Sequence, residues 1–169
     1  MSDPQPARPD PVQPADAEAR ALAFALLTGA NHAALAVTDP ETGTPGISRI
    51  AFGLDPQGCP LTLVSALAPH RAALAAHPAA AVMVGEVGDK GDPLTHPRLM
   101  IRVMAEFIPR DSADHPAIRA HWLQAHPKAK LYVDFADFAF VRLRPLSALL
   151  NGGFARAFRL APEDLLPPV

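Results

Sequence analysis

Cysteine is nearly absent from this chain: Cys59 stands alone among 169 residues. A single thiol makes no intrachain disulfide, which suits a reduced, intracellular protein. Neither sign of charge dominates, since the formal net charge is -2 with histidine neutral. That removes the electrostatic footprint of a nucleic-acid binder or an anionic-membrane binder. Long hydrophobic runs are missing too. The most apolar helical stretch, Ala21 to Leu27, is far shorter than the roughly 20 residues that span a bilayer. The opening MSDPQPARPDPVQPAD has no apolar segment of the kind a secretory signal needs. These absences predict a cytoplasmic protein with neither a membrane nor a nucleic acid as partner.

What is present is enough for one core. Hydrophobic residues make up 49% of the chain. A single domain of this length buries roughly 70% of the surface its unfolded chain exposes. The first fifteen residues hold five prolines and no apolar period, so 1–15 reads as a disordered arm and 16–169 as one domain. Asp16 is placed to cap a helix running to about Thr28, with Leu22, Ala25, Leu26 and Gly29 on its packed face. Extended segments follow at Ala33–Val37, Ile47–Leu54 and Leu61–Ser65, separated by Asp-Pro turns. A short helix begins at Pro69, a strand covers Ala80–Gly85, and a polar loop runs from Glu86 to Pro97. A strand at Arg98–Ile108 and a helix at Pro116–Ala125 come next, the helix striped by Ile118, Trp122 and Ala125. Two strands, Phe138–Arg144 and Leu146–Leu150, are expected to break at Pro145. Short strands joined by turns, with few helices, predict a mainly β fold: a closed or partly closed barrel with flanking helices.

Three groups of residues have the chemistry to hold a ligand. In Ile47–Leu54, Ile50 and Phe52 fall on one face and Arg49 on the other, so an inward Ile50 turns Arg49 outward. Ser65 ends the next strand, and His70 and Arg71 lie in the first turn of the helix that starts at Pro69. A helix start favours anions, so a cation there makes sense beside a bound phosphate, which a guanidinium fork matches. Read alone, the same arginines are more simply ordinary solvated residues. The second group is the Glu86–Pro97 loop with His96 and Arg98 at its end, open to a ligand or simply a long connection. The third is Asn151-Gly152-Gly153-Phe154, a turn that lets backbone approach a ligand. No Walker motif, nucleophile elbow or histidine set with metal-ligand spacing is present. Cys59 has no partner base.

Taken together these groups resemble a known family. The matching runs are Ile47-Ser48-Arg49-Ile50-Ala51, Leu67-Ala68-Pro69-His70, Gly91 to Leu99, Asp134 to Phe138, and Asn151 to Phe154. They are similar to the pyridoxamine 5′-phosphate oxidase-related FMN-binding split-barrel proteins, in the branch of the HugZ-type haem-degrading proteins. The resemblance implies a six-stranded split β-barrel and a homodimer with the cofactor at the subunit interface. It implies FMN as cofactor, held by Arg49, Ile50, Ser65, His70, Arg71, His96 and Arg98, in a redox role on an unidentified small molecule. The Tyr, Arg and Ser set of true pyridoxamine phosphate oxidases is replaced here by His121 to Pro127, which argues against pyridoxal phosphate synthesis. Haem binding or degradation, with His70 or His96 on the iron, is the alternative. A binding or dimerisation module without catalysis is the third reading.

Overall fold

The structure is a computed structural model and describes residues 11–167. Most of the expected arm therefore lies outside the described residues. Within them, Val12–Pro14 is not free: it forms β1, parallel to β9 (Ala157–Leu160). A proline is tolerated there because β1 is an edge strand.

Helix α1 (Ala17–Gly29) starts where Asp16 Oδ1 accepts the Ala19 N–H at 2.7 Å. Its packed face differs from the expected one. Ala19, Ala23 and Leu27 are buried, Leu22 and Leu26 flank them, and Ala25 and Gly29 face solvent. Alanines carry the stripe, which lets the helix lie close to the barrel.

Six strand lines then close a ring. Strands β2 (His32–Thr38) and β3 (Pro45–Ala51) pair antiparallel. Phe52, fully buried, interrupts the expected Ile47–Leu54 strand, and β4 (Gly53–Leu54) carries the line on to β5 (Pro60–Ser65). Strand β5 pairs with the first half of β8 (Phe138–Asn151), β8 with β7 (Arg98–Phe107), β7 with β6 (Ala79–Val84), and β6 with β2. Among the described residues the fold is a split β-barrel of six lines built from nine strands, because β3 and β4 share a line and β1 and β9 extend the second half of β8. Pro145 does not break β8 as expected. It lies opposite Val103 beside a register shift, and the irregularity absorbs the missing N–H.

The main core fills the barrel under α1, with Leu35, Ile50, Phe52, Leu99, Ile101 and Leu143 among its members. Helix α2 (Pro69–Ala76) adds Ala73 and Leu74 to it. A second cluster lies between β5, β8 and α3 (His115–Ala125): Leu61, Leu63, Ile118, Trp122, Ala129 and Phe140. Ala125 is exposed, so Ala129 rather than Ala125 completes the Ile118–Trp122 stripe.

Among the arginine–carboxylate pairs of the described residues are Arg20–Asp164, Arg119–Asp134, Arg142–Asp114 and Arg144–Glu106. In each, the hydrogen bond from the guanidinium holds the carboxyl below its ordinary value. A carboxyl with a lower value folded than unfolded stabilises the fold above its unfolded value and loses that contribution as pH falls. With ordinary values of 3.8 for Asp and 4.5 for Glu, the melting temperature should hold from neutrality to about pH 5 and then decline, modestly because most of these carboxylates face solvent. Thermal melts in a pH series check this, and an unchanged melting temperature at pH 3 would contradict it.

Candidate functional site

Alternation along β2, β3 and β6 turns one row of side chains onto the outer face of the sheet. Arg49 pairs across to Ala34, Ala34 to Met83, Met83 to Met100, Met100 to Leu149 and Leu149 to Arg159. The expected outward Arg49 is thus observed, with Ile50 and Phe52 inside. Alanine at position 34 leaves a low floor beside Arg49. The resulting groove has a cavity of about 280 Å³ lined by His32, Ala34, Ile47, Arg49, Met83 and Glu86. A neighbouring cavity of about 370 Å³ under α1 shares His32, Gly85 and Glu86 with it.

Two side chains give this groove its chemistry. Arg49 is exposed and makes no hydrogen bond or ion pair among the described residues. His32 stands beside it, with Nδ1 2.6 Å from Asn31 Oδ1 and Nε2 2.9 Å from Glu86 Oε1. Asn31 Oδ1 accepts from Nδ1 and Glu86 Oε1 accepts from Nε2 in this geometry, so Nε2 can ligate only once it gives up that proton and Glu86 moves aside. Glu86 is itself exposed and free to do so. His32 was missed in the sequence, although its alternation with Ala34 and Ala36 against buried Ala33, Leu35 and Val37 puts it on the Arg49 face.

The other expected site residues are placed elsewhere. The Ile50 side chain is buried in the barrel core, because the alternation that exposes Arg49 turns its neighbour inward. Arg71 does not line the Arg49 groove. Its Nη1 donates to the Asp137 carbonyl at 2.8 Å and its guanidinium lies over the Phe107 ring. Ser65 Oγ donates to Asp137 Oδ2 at 2.7 Å and accepts the Leu67 N–H at 3.1 Å. Asp137 thus engages Ser65 with its carboxylate and Arg71 with its backbone carbonyl. His70 is half-buried, and burial pushes its ring below the usual value, favouring neutral imidazole.

His96 and Arg98 close the loop they end. His96 Nδ1 accepts the Gly88 N–H at 3.1 Å and Nε2 donates to the Lys90 carbonyl at 2.9 Å. Arg98 Nη1 donates to the Leu94 carbonyl at 3.0 Å. Gly85 makes the loop's tight entry: at φ 115°, a β-carbon there would stand 2.5 Å from the Pro97 carbonyl oxygen. In the Asn151–Phe154 turn, Gly152 N–H donates to the Arg156 carbonyl at 2.7 Å, and Phe154 projects into solvent. Burial pushes the Cys59 thiol up to about 11, which keeps it protonated and unreactive at neutral pH. Among the described residues, no group of three or more His, Cys, Asp or Glu is arranged to hold a metal ion. No helix among them is long and apolar enough to cross a membrane.

The closed ring, the shared β8 and the outward Arg49 define a split-barrel protein with a ligand-sized groove on its sheet. Comparison with known proteins narrows this. No family model matches the chain. The chain is 34% identical over 116 residues to a non-canonical haem oxygenase, HOZ, of Arabidopsis thaliana chloroplasts, a match covering 69% of this chain and 34% of that protein. It is 31% identical to a haem-binding protein of Mycobacterium smegmatis, with a TM-score of 0.75 over 94% of this chain and 61% of the other. A further solved chain is 46% identical, with a TM-score of 0.82 over 92% of this chain and 100% of its own length. HutZ of Vibrio cholerae (20%, TM-score 0.69) and a putative pyridoxamine 5′-phosphate oxidase of Listeria innocua (15%, TM-score 0.61) share the fold. The chain belongs to the pyridoxamine 5′-phosphate oxidase-related split-barrel family, in its HugZ-like branch. It spans about a third of the length of the curated relative it matches.

Proposed function

We propose that this chain binds haem, with the His32–Arg49 groove as its seat. One observation carries the reading: an imidazole and an unpartnered guanidinium share a groove with an apolar floor. Haem is a flat apolar body with two carboxylates and an iron that imidazole ligates. His32 Nε2 would hold the iron, Asn31 would hold the ring orientation, and Arg49 would take a carboxylate. His96 is a poorer ligand, because both its nitrogens bond backbone groups of the loop, whereas His32 Nε2 faces only the exposed Glu86 side chain. His70, neutral and half-buried, is the rival ligand. The haem names carried by two relatives, each at least 31% identical, support the same cofactor. Bound haem would supply the oxygen chemistry of a haem-degrading protein; the chain supplies binding and orientation.

Arg49 favours a second reading. An unpartnered guanidinium on an open strand also suits the phosphate of FMN, and a redox flavoprotein would follow. Absorbance of the purified protein separates the two. Titration with haemin should give a shifted, saturable Soret band, whereas FMN should give none of the fluorescence quenching that a bound flavin shows. No Soret shift together with quenched FMN would replace the first reading with the second, and neither signal would leave a module without cofactor. Exposed Ile47 and Met83 at the groove's rim support a homodimer that closes over the ligand, and the single cysteine supports a cytoplasmic address.

A further inference from the structure

We propose, resting on the haem reading of His32 and Arg49, that the seat spans two chambers and that Glu86 is the movable partition between them. The groove beside Arg49 holds about 280 Å³, just short of the roughly 300–1,000 Å³ of small-molecule sites. The cavity under α1 holds about 370 Å³. His32, Gly85 and Glu86 line both. The boundary is therefore the His32–Glu86 pair, with Nε2 2.9 Å from Oε1. Singly, one chamber falls below that range and the other barely enters it. Joined, they lie well inside it.

Of the three boundary residues only Glu86 moves easily. His32 is held by its Nδ1 bond to Asn31 Oδ1 at 2.6 Å. Gly85 is locked by the returning chain: at φ 115°, a β-carbon there would stand 2.5 Å from the Pro97 carbonyl oxygen and 2.8 Å from Arg98 Cα. The Glu86 side chain is 75% exposed. Water screens so open a pair, so little holds the carboxylate in place, and it can rotate into solvent while the backbone stays put.

The two chambers differ in chemistry, and the difference orients the ligand. Ala25, Leu26 and Ala30 give the far chamber apolar walls, and its titratable lining residues, His32 and Glu86, both belong to the partition. Arg49 lines the near chamber only. A flat molecule with an acidic edge and an apolar edge thus lies with the acid at Arg49 and the apolar edge under the C-terminal end of α1. Its centre crosses the boundary, where His32 stands. Haem has this build, with the iron that imidazole ligates at its centre.

Filling the far chamber tests the arrangement. Ala25 and Gly29 line that chamber and not the groove, and both are exposed. A β-carbon on Gly29 meets nothing within 4 Å. Haemin and, separately, FMN are titrated into the full chain and followed by the Soret band and by flavin fluorescence. Ala25→Phe and Gly29→Leu should each weaken haemin binding about tenfold or more. Ala21→Phe adds the same bulk one turn earlier on α1, outside both chambers, and should change it less than about twofold. Glu86→Ala removes the partition and should speed haemin association severalfold in stopped flow. Circular dichroism melts confirm that the variants fold. Haemin affinity unchanged in both Ala25→Phe and Gly29→Leu overturns the proposal and leaves the haem reading standing, with the ligand confined to the Arg49 groove. An association rate unaltered in Glu86→Ala overturns the partition. If FMN binds instead of haemin and both fillers weaken it, the two-chamber seat stands and the haem reading falls. If neither ligand binds the wild type, both fall together.

Discussion

Arg142→Ala should cost about 3–5 kcal/mol of folding stability, the range for removing one partner of a buried ion pair. Arg142 is largely buried, its side chain 13% exposed, and reaches two carboxylates at once. Its Nε donates to Asp55 Oδ2 at 2.7 Å and its Nη2 donates to Asp114 Oδ2. Asp55 is the critical partner because its side chain is only 1% exposed. Its other oxygen holds the β4–β5 turn through the Gln57 and Cys59 N–H groups, both at 2.9 Å. Without Arg142 the carboxylate keeps those two bonds and loses its countercharge inside the protein. The loss should fall mainly on unfolding in urea, with the midpoint lowered and the slope unchanged. Arg142→Lys should recover part of it, since an ammonium restores charge without the two-acid fork. A loss under 1 kcal/mol for Arg142→Ala would mean that solvent reaches Asp55.

His32→Ala should weaken haemin binding at least tenfold and remove the Soret shift that nitrogen ligation gives. His32 lines both cavities of the groove, and Asn31 fixes its ring. Glu86→Gln tests the other side of the ring: it removes the carboxylate now facing Nε2 and should strengthen ligation rather than weaken it. A structural role for His32 would not produce that opposite sign. If haemin binds with a normal Soret shift in His32→Ala but not in His70→Ala, the ligand is His70 and the haem reading stands with a different residue.

Much of this was legible before any coordinates, and the failures have physical causes. The alternation in Ile47–Leu54 gave Arg49 its outward position because Ile50 and Phe52 are strong inward markers. The resemblance in the Gly91–Leu99 and Asn151–Phe154 runs led to the family that the relatives confirm. The face of α1 was misjudged because Ala19 and Ala23 carry little hydrophobic signal yet pack tightest. Strands β1 and β9 escaped because three or four residues of pairing leave no period to read. The partner of Ser65 and Arg71 was out of reach for a different reason. Asp137 lies 72 and 66 residues further along the chain, and only the β5–β8 pairing brings it to the start of α2. His32 was overlooked because it sits at the very start of its strand, where alternation has barely begun. The proposed preference for haem over FMN rests on relatives, since an unpartnered arginine serves either ligand.

The Glu86–Pro97 loop has a consequence for how this scaffold can vary. It leaves the barrel at Gly85 and returns at Arg98, where the two strand ends nearly touch, and His96 and Arg98 knot it to itself. Its bonds are mostly internal, so the segment behaves as a cassette plugged between β6 and β7. A loop of other length or composition can be exchanged there with little disturbance to the barrel behind it. Because Glu86, its first residue, rests against His32, each exchange would also retune the mouth of the groove.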